Sequence, residues 1–139
     1  MKENIQIKKA WEDGDLIQLE IICWSEFITA RQGCYIQMQD LIRLSEKIQN
    51  FIQNPHQQCY LEFGNKKGNY TPAFSMELSS IDKLGHINIE VDVEIDDNDS
   101  RKHRSCFFVK SELGRVEQFG NEIQLIHKAP LGYKISLNI

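Results

Sequence analysis

Glu90, Asp92, Glu94 and Asp96 occupy every second position of one segment, and Ile87, Ile89, Val91, Val93 and Ile95 fill the positions between them. Alternation this strict predicts a β-strand with one face on a core and the other in water. Carboxylates two apart on such a face lie roughly 6.5–7 Å from one another. A row of that kind could serve acid–base catalysis, hold a hard cation, or capture a basic partner. The structural alternative is a solvated face cancelled by the next strand. With a three-residue loop at Asp97 to Asp99, Glu94 falls opposite Lys102 and Asp92 opposite Arg104. Such cross-strand pairs contribute from a few tenths to about 1 kcal/mol each.

Other chemistry finds no matching spacing. Counted from Asp96 or Asp97, the glycine and glutamate that an EF-hand loop needs at its sixth and twelfth positions are absent. His56, His86, His103 and His127 are scattered and form no HxxxH or HExxH pattern. There is no G-x-S-x-G elbow for a serine nucleophile, and no glycine-rich phosphate cradle. Cys23, Cys34, Cys59 and Cys106 contain no CxxC pair, which argues against zinc and against a disulfide framework. All four sit in apolar stretches and are expected as buried, reduced thiols. These readings predict no catalytic residue, no metal and no cofactor. Trp11, Trp24, Phe27 and Tyr35 fall in the first third of the chain, and aromatics are favoured interface anchors. Trp24, at a strand end beside Ser25-Glu26, is expected to be half covered.

Composition narrows the class. The chain has 139 residues, 41% apolar and 26% charged, as expected of one globular domain spanning residues 1–139. A net charge of -4 gives no footprint for a nucleic-acid backbone. Met1 to Gly14 lacks the apolar core of a signal peptide, and the longest apolar runs are far too short for a bilayer. A reducing cytoplasm is the expected compartment.

The elements that must position these residues follow from periodicity and turn signals. Strands are expected over Ile5 to Trp11, Leu16 to Trp24 and Phe27 to Ile36, with Asp13-Gly14 as a hairpin turn. A helix over Gln37 to Ile52 stops ahead of Pro55. Further strands cover Cys59 to Phe63, Ala73 to Ser79, Ile87 to Ile95 and Arg101 to Val109. A second helix follows, capped by Ser111, and Tyr133 to Leu137 forms a last strand. The stripe Leu41, Leu44, Ile48 and Phe51 falls in step, 72 residues on, with Leu113, Val116, Gly120 and Ile123. Gly114 and Gly120 cost helix propensity, which close approach of that helix to a sheet would explain. The expected fold is α+β: a mainly antiparallel sheet with two helices packed on it, in the order strands, helix, strands, helix, strand.

Three stretches carry a resemblance: Cys34-Tyr35-Ile36-Gln37-Met38-Gln39-Asp40-Leu41, Tyr60-Leu61-Glu62-Phe63-Gly64, and Gly85-His86-Ile87-Asn88-Ile89-Glu90-Val91. Over residues 15 to 126 the chain resembles small bacterial single-domain α+β proteins, among them the immunity proteins of wall-associated polymorphic toxins. The resemblance implies a partner that is a toxin and assigns no functional residue. The expectation is a non-catalytic protein-binding domain whose acidic strand (Glu90, Asp92, Glu94, Asp96), with Trp24, meets a basic toxin surface. Two other classes stand beside it: a small-molecule-binding or enzymatic domain with a sheet–helix pocket, and a homo-oligomer paired through edge strands.

Overall fold

The computed structural model describes residues 3–66, 73–95, 100 and 102–137. Among these residues eight strands and two helices run in the order β1 (Asn4–Asp13), β2 (Leu16–Trp24), β3 (Thr29–Gln37), α1 (Met38–Gln53), β4 (Cys59–Phe63), β5 (Ala73–Ser80), β6 (His86–Ile95), β7 (His103–Glu112), α2 (Leu113–Ile123), β8 (Lys134–Ser136). The fold is α+β and antiparallel, as expected, but its strands divide into two four-stranded sheets. Sheet A has the order β3-β2-β1-β8 and sheet B the order β4-β5-β6-β7.

Local chemistry explains the boundaries. Gly14 takes a positive φ of 59° in the tight turn between β1 and β2. Asp40 accepts a hydrogen bond from the Gln37 N–H at the start of α1, so an acid meets the positive end of the helix. The first N–H of each helix is satisfied in the same way, by a carbonyl of the neighbouring hairpin turn: Met38 by Asp15 at 3.1 Å and Leu113 by Gly85 at 2.8 Å. Ser111 is not the cap of α2. It is buried in β7, which runs on to Glu112 before the helix begins. A single 3-10 turn, Ile126–Lys128, leads from α2 toward β8.

The helices match at a different offset from the one the apolar stripe suggested. The buried face of α1 is Leu41, Leu44, Ser45, Ile48 and Phe51, and that of α2 is Val116, Phe119, Gly120 and Ile123. Leu41, Leu44, Ser45 and Ile48 therefore correspond to Val116, Phe119, Gly120 and Ile123. The hydroxyl of Ser45 donates to the carbonyl of its counterpart Gly120, 75 residues away, at 2.8 Å. A Cβ on Gly120 would stand 2.6 Å from Cγ2 of Ile48. The close approach at this glycine is thus to the other helix and not to a sheet. Gly114, with nothing within 4 Å of its Cβ position, has no packing role.

The correspondence extends to the sheets. The chain is two βββαβ units, β1 to β4 and β5 to β8, and each unit's last strand completes the other unit's sheet. β4 pairs antiparallel with β5, and β8 with β1. The inner sheet faces and the helices share one core. Ile5, Ile7, Leu19 and Ile21 come from sheet A, and Leu61, Phe74, Met76, Ile89 and Val91 from sheet B, all at most 1% exposed. Burying each of these larger side chains stabilises the fold by about 1.5–3 kcal/mol.

Candidate functional site

Strict alternation on β6 places Ile87, Ile89, Val91 and Val93 in the core, with Ile95 half-buried, so Glu90, Asp92 and Glu94 lie on the outer face of sheet B. Asp96 and the turn at 97–99 lie outside the described residues. The register with β7 is displaced by two residues from the expected one. Glu94 faces Arg104 and Asp92 faces Cys106, because the strands end at the pair Ile95 and His103 and a longer connection joins them. Arg104 nevertheless reaches Asp92 diagonally, with Nη2 to Oδ2 at 2.6 Å and Nε to both oxygens at 3.2 Å. Lys66 adds an ion pair at 3.4 Å.

Asp92 is therefore a buried carboxylate answered by two cations. Burial alone would raise its pKa. Hydrogen bonds from Arg104 and the charge of Lys66 outweigh that and hold the carboxyl below its usual range. Asp92 belongs to the structure of the sheet more than to an open surface.

Glu90 is different. Four residues line up across sheet B in the row Tyr60, Glu77, Glu90, Phe108. Two like charges sit directly opposite one another in the centre of the sheet, an arrangement that is destabilising by itself. Among the described residues neither Glu77 nor Glu90 has a hydrogen-bond or ion-pair partner. The flanking rings are open to solvent, Tyr60 at 41% and Phe108 at 52% exposure. Tyr60 donates a hydrogen bond to Glu62 at 2.6 Å, extending the acidic surface to the strand edge. The sequence contained Glu77 in plain alternation with Ser75 and Ser79, but only the β5–β6 register sets it against Glu90. Phe107 and Phe108 are adjacent, and the register decides which of them faces out.

Trp24 is half-buried, as expected, but it lies at the end of β2 in sheet A, away from the acidic strand. Nor do the four early aromatics form one group. Trp11 and Tyr35 meet edge to face at 6.3 Å. Both flank Gln18, six residues along β2 from Trp24, a separation of roughly 20 Å at strand rise. Phe27 is 87% exposed in the turn beyond Trp24.

Of the four thiols, Cys23, Cys34 and Cys59 are buried and Cys106 is exposed, contrary to expectation. Cys106 belongs to the outward-facing set of β7, between Arg104 and Phe108. Burial pushes Cys34 up to about 12 and Cys23 still higher. Partial desolvation and the nearby Glu90 and Asp92 also raise Cys106, so its surroundings do not favour a thiolate nucleophile. Among the described residues no three His, Cys, Asp or Glu side chains are grouped as a metal site requires. No helix among them is long and apolar enough to cross a membrane.

A cleft of about 850 Å³ opens where the N-terminal part of α1 meets β4, lined by Tyr35, Tyr60, Arg43, Lys47, Asp40 and Glu62 among others. Its cations are already engaged: Arg43 with Asp40 at 3.3 Å, and Lys47 with the Tyr60 carbonyl. Compared with family models, curated proteins and solved structures, the chain matches none.

Proposed function

We propose that this chain is a non-catalytic protein-binding domain and that the outer face of sheet B is its docking surface for a basic partner. The observation that carries the reading is the Glu77–Glu90 pair. Elsewhere on this face Arg104 and Lys66 answer Asp92, but this pair is left uncompensated between two exposed rings. A cation brought by a partner would relieve the repulsion, and Tyr60 and Phe108 would flank it with aromatic surface. The acidic field would also speed encounter with a basic surface. The concrete form of the proposal is an immunity protein that neutralises a bacterial toxin by covering a basic region of it. Glu90 and Glu94 remain in the proposed surface, joined by Glu77, Tyr60 and Phe108, whereas Asp92, on the same face, is already engaged by Arg104 and Lys66.

The test is the association rate with a partner recovered by affinity capture. Replacing Glu77 and Glu90 together by lysine is expected to slow association at least tenfold while leaving the fold intact. The wild-type rate is expected to fall as salt rises. A rate indifferent to both changes would refute the docking face. The cleft beside α1 favours a second reading, a small-ligand site, because its volume lies in the range of ligand pockets. Ligand-induced shifts confined to Tyr35, Arg43 and Lys47 in NMR spectra would support that reading instead.

A further inference from the structure

Among the described residues four strand edges terminate the two sheets, and two are short. β8 has three residues. β4 has five, and Lys47 of α1 reaches over it to the Tyr60 carbonyl. β3 has nine residues, but it edges sheet A, where Arg31 of β3 answers Glu20 at 2.6 Å. β7 differs. It has ten residues, it pairs with β6 without a bulge along its whole length, and it contains no proline.

The direction of its free groups can be read from one bond. The Lys110 N–H donates to the carboxylate of Glu3 at 3.1 Å, so it points away from β6. Antiparallel pairing alternates, which aims the N–H groups of Arg104, Cys106 and Phe108 outward as well. Among the described residues nothing accepts them. Charged side chains commonly guard such an edge against pairing. Here Arg104 is folded back over the sheet onto Asp92, and the exposed charges that remain on the outward-facing set of β7, Lys110 and Glu112, stand at the C-terminal end of the strand. Glu3 occupies, at one position, the place of a neighbouring strand's carbonyl.

We infer that the partner adds an extended segment to β7, bonded to Arg104, Cys106 and Phe108, with cationic side chains at alternate positions on the acidic face. The inference rests on the docking reading and names how the partner is held. Strand addition takes its affinity from main-chain hydrogen bonds and its selectivity from alternate side chains. A segment along β7 sends every second side chain to the same outer face as Phe108 and Glu90, because successive side chains alternate. Long cationic side chains there cross the Phe108 ring toward Glu90, two strand spacings or roughly 10 Å away, and lower the charge that Glu77 faces. Carboxylates in those positions would add to a repulsion that is already uncompensated.

The probe is a nine-residue peptide of alternating lysine and valine, added to the full chain, with amide hydrogen exchange followed by NMR. Exchange of the Cys106 and Phe108 N–H groups is expected to slow at least tenfold. A peptide of alternating glutamate and valine is expected to leave it unchanged. So is a proline-rich peptide with lysine at every third position, whose three-residue period does not match a strand ladder. Unchanged exchange with the lysine–valine peptide overturns the inference, as does equal slowing by the proline-rich peptide, which would indicate charge attraction alone. Slow exchange without peptide, together with a doubled mass in light scattering, assigns the edge to a second copy and also overturns it. Loss of amide protection while the lysine reversal of Glu77 and Glu90 still slows a captured partner sinks strand addition and leaves the docking face standing. Protection that survives that reversal sinks the docking face instead.

Discussion

The first unit closes its sheet with β8 and the second with β4, and the two joints are built differently. In sheet B, Met76 faces Leu61 on the exchanged strand, and two positions on Leu78 faces Cys59, all buried and apolar. In sheet A, Ile7 faces Ile135 in the same manner, but the position corresponding to Leu78 is Lys9. Lys9 is 1% exposed, and its ammonium donates to the carbonyls of His127 at 3.1 Å and Ala129 at 2.8 Å while pairing with Glu12 at 2.8 Å. A five-residue strand is held by its ladder and its apolar face. A three-residue strand cannot supply as much of either, so a buried cation fastens the chain leading into it. The outer faces also diverge. Glu20 on sheet A is answered by Arg31 at 2.6 Å, whereas Glu77 and Glu90 on sheet B are answered by no described residue. One repeated fold thus carries a balanced face and an unbalanced one, and the unbalanced one is the face we assign to function.

If the units are interlocked, matching positions on the two helices should weigh alike. Leu44→Ala is expected to cost about 2–5 kcal/mol and Phe119→Ala about 3–5 kcal/mol in chemical denaturation, each within a single transition. Separate transitions, or one silent variant, would break the correspondence. A smaller effect separates the joints. Lys9→Met leaves two carbonyls without their donor and is expected to cost about 1–3 kcal/mol. Leu78→Met in the other joint should cost less than about 1.5 kcal/mol. Equal costs would show that the lysine is no fastening.

The two glycines of α2 sharpen the helix pairing by sign. Gly114→Ala meets open space and is expected to stabilise by up to about 1 kcal/mol. Gly120→Ala drives a methyl into Ile48, where overpacking of about 1–3 kcal/mol exceeds the propensity gain. Melting temperatures moving the same way for both would contradict the helix contact. The smallest effect concerns the outer face. The carboxyl of Asp92 is held below its usual range, so its stabilisation is present above the unfolded-state pKa and is lost as pH falls through the lowered native value. Asp92→Asn should flatten that acid limb, by no more than about 1 kcal/mol because Arg104 is largely exposed. An acid limb unchanged in the variant would place the loss elsewhere.

Periodicity carried much of this architecture. The strand from Ile87 to Ile95, the stripe of α1 and the turn at Gly14 are all plain in the residue order, because each is dictated by neighbours along the chain. The division into two sheets is not, since the exchange of β4 and β8 joins segments that share no local signal. The Glu77–Glu90 pair is hidden in the sequence for the same reason. Glu90 was visible, but its opposition to Glu77 depends on a register set across a hairpin. The exposure of Cys106 follows from alternation alone, because a displacement of two residues keeps every side chain on its face; its apolar neighbours Phe107 and Phe108 hid that in the residue order. Trp24 stands at a half-covered strand end, as its position beside Ser25-Glu26 indicates, but which sheet that strand joins is not written in the local pattern.

The exchanged strands also order events in time. β1 is made before the other strands, and the strands of sheet B, β4 to β7, emerge one after another, so each finds its neighbour as soon as it is made. Sheet A has no such convenience. Gln6 pairs with Ser136, so the outer edge of β1 stays open until β8 is made. For that interval the nascent protein presents a bare strand edge, the feature by which chains most readily join their neighbours. A slowing of translation between β1 and β8 would lengthen the exposure, and a chaperone that holds β1 would limit its consequences.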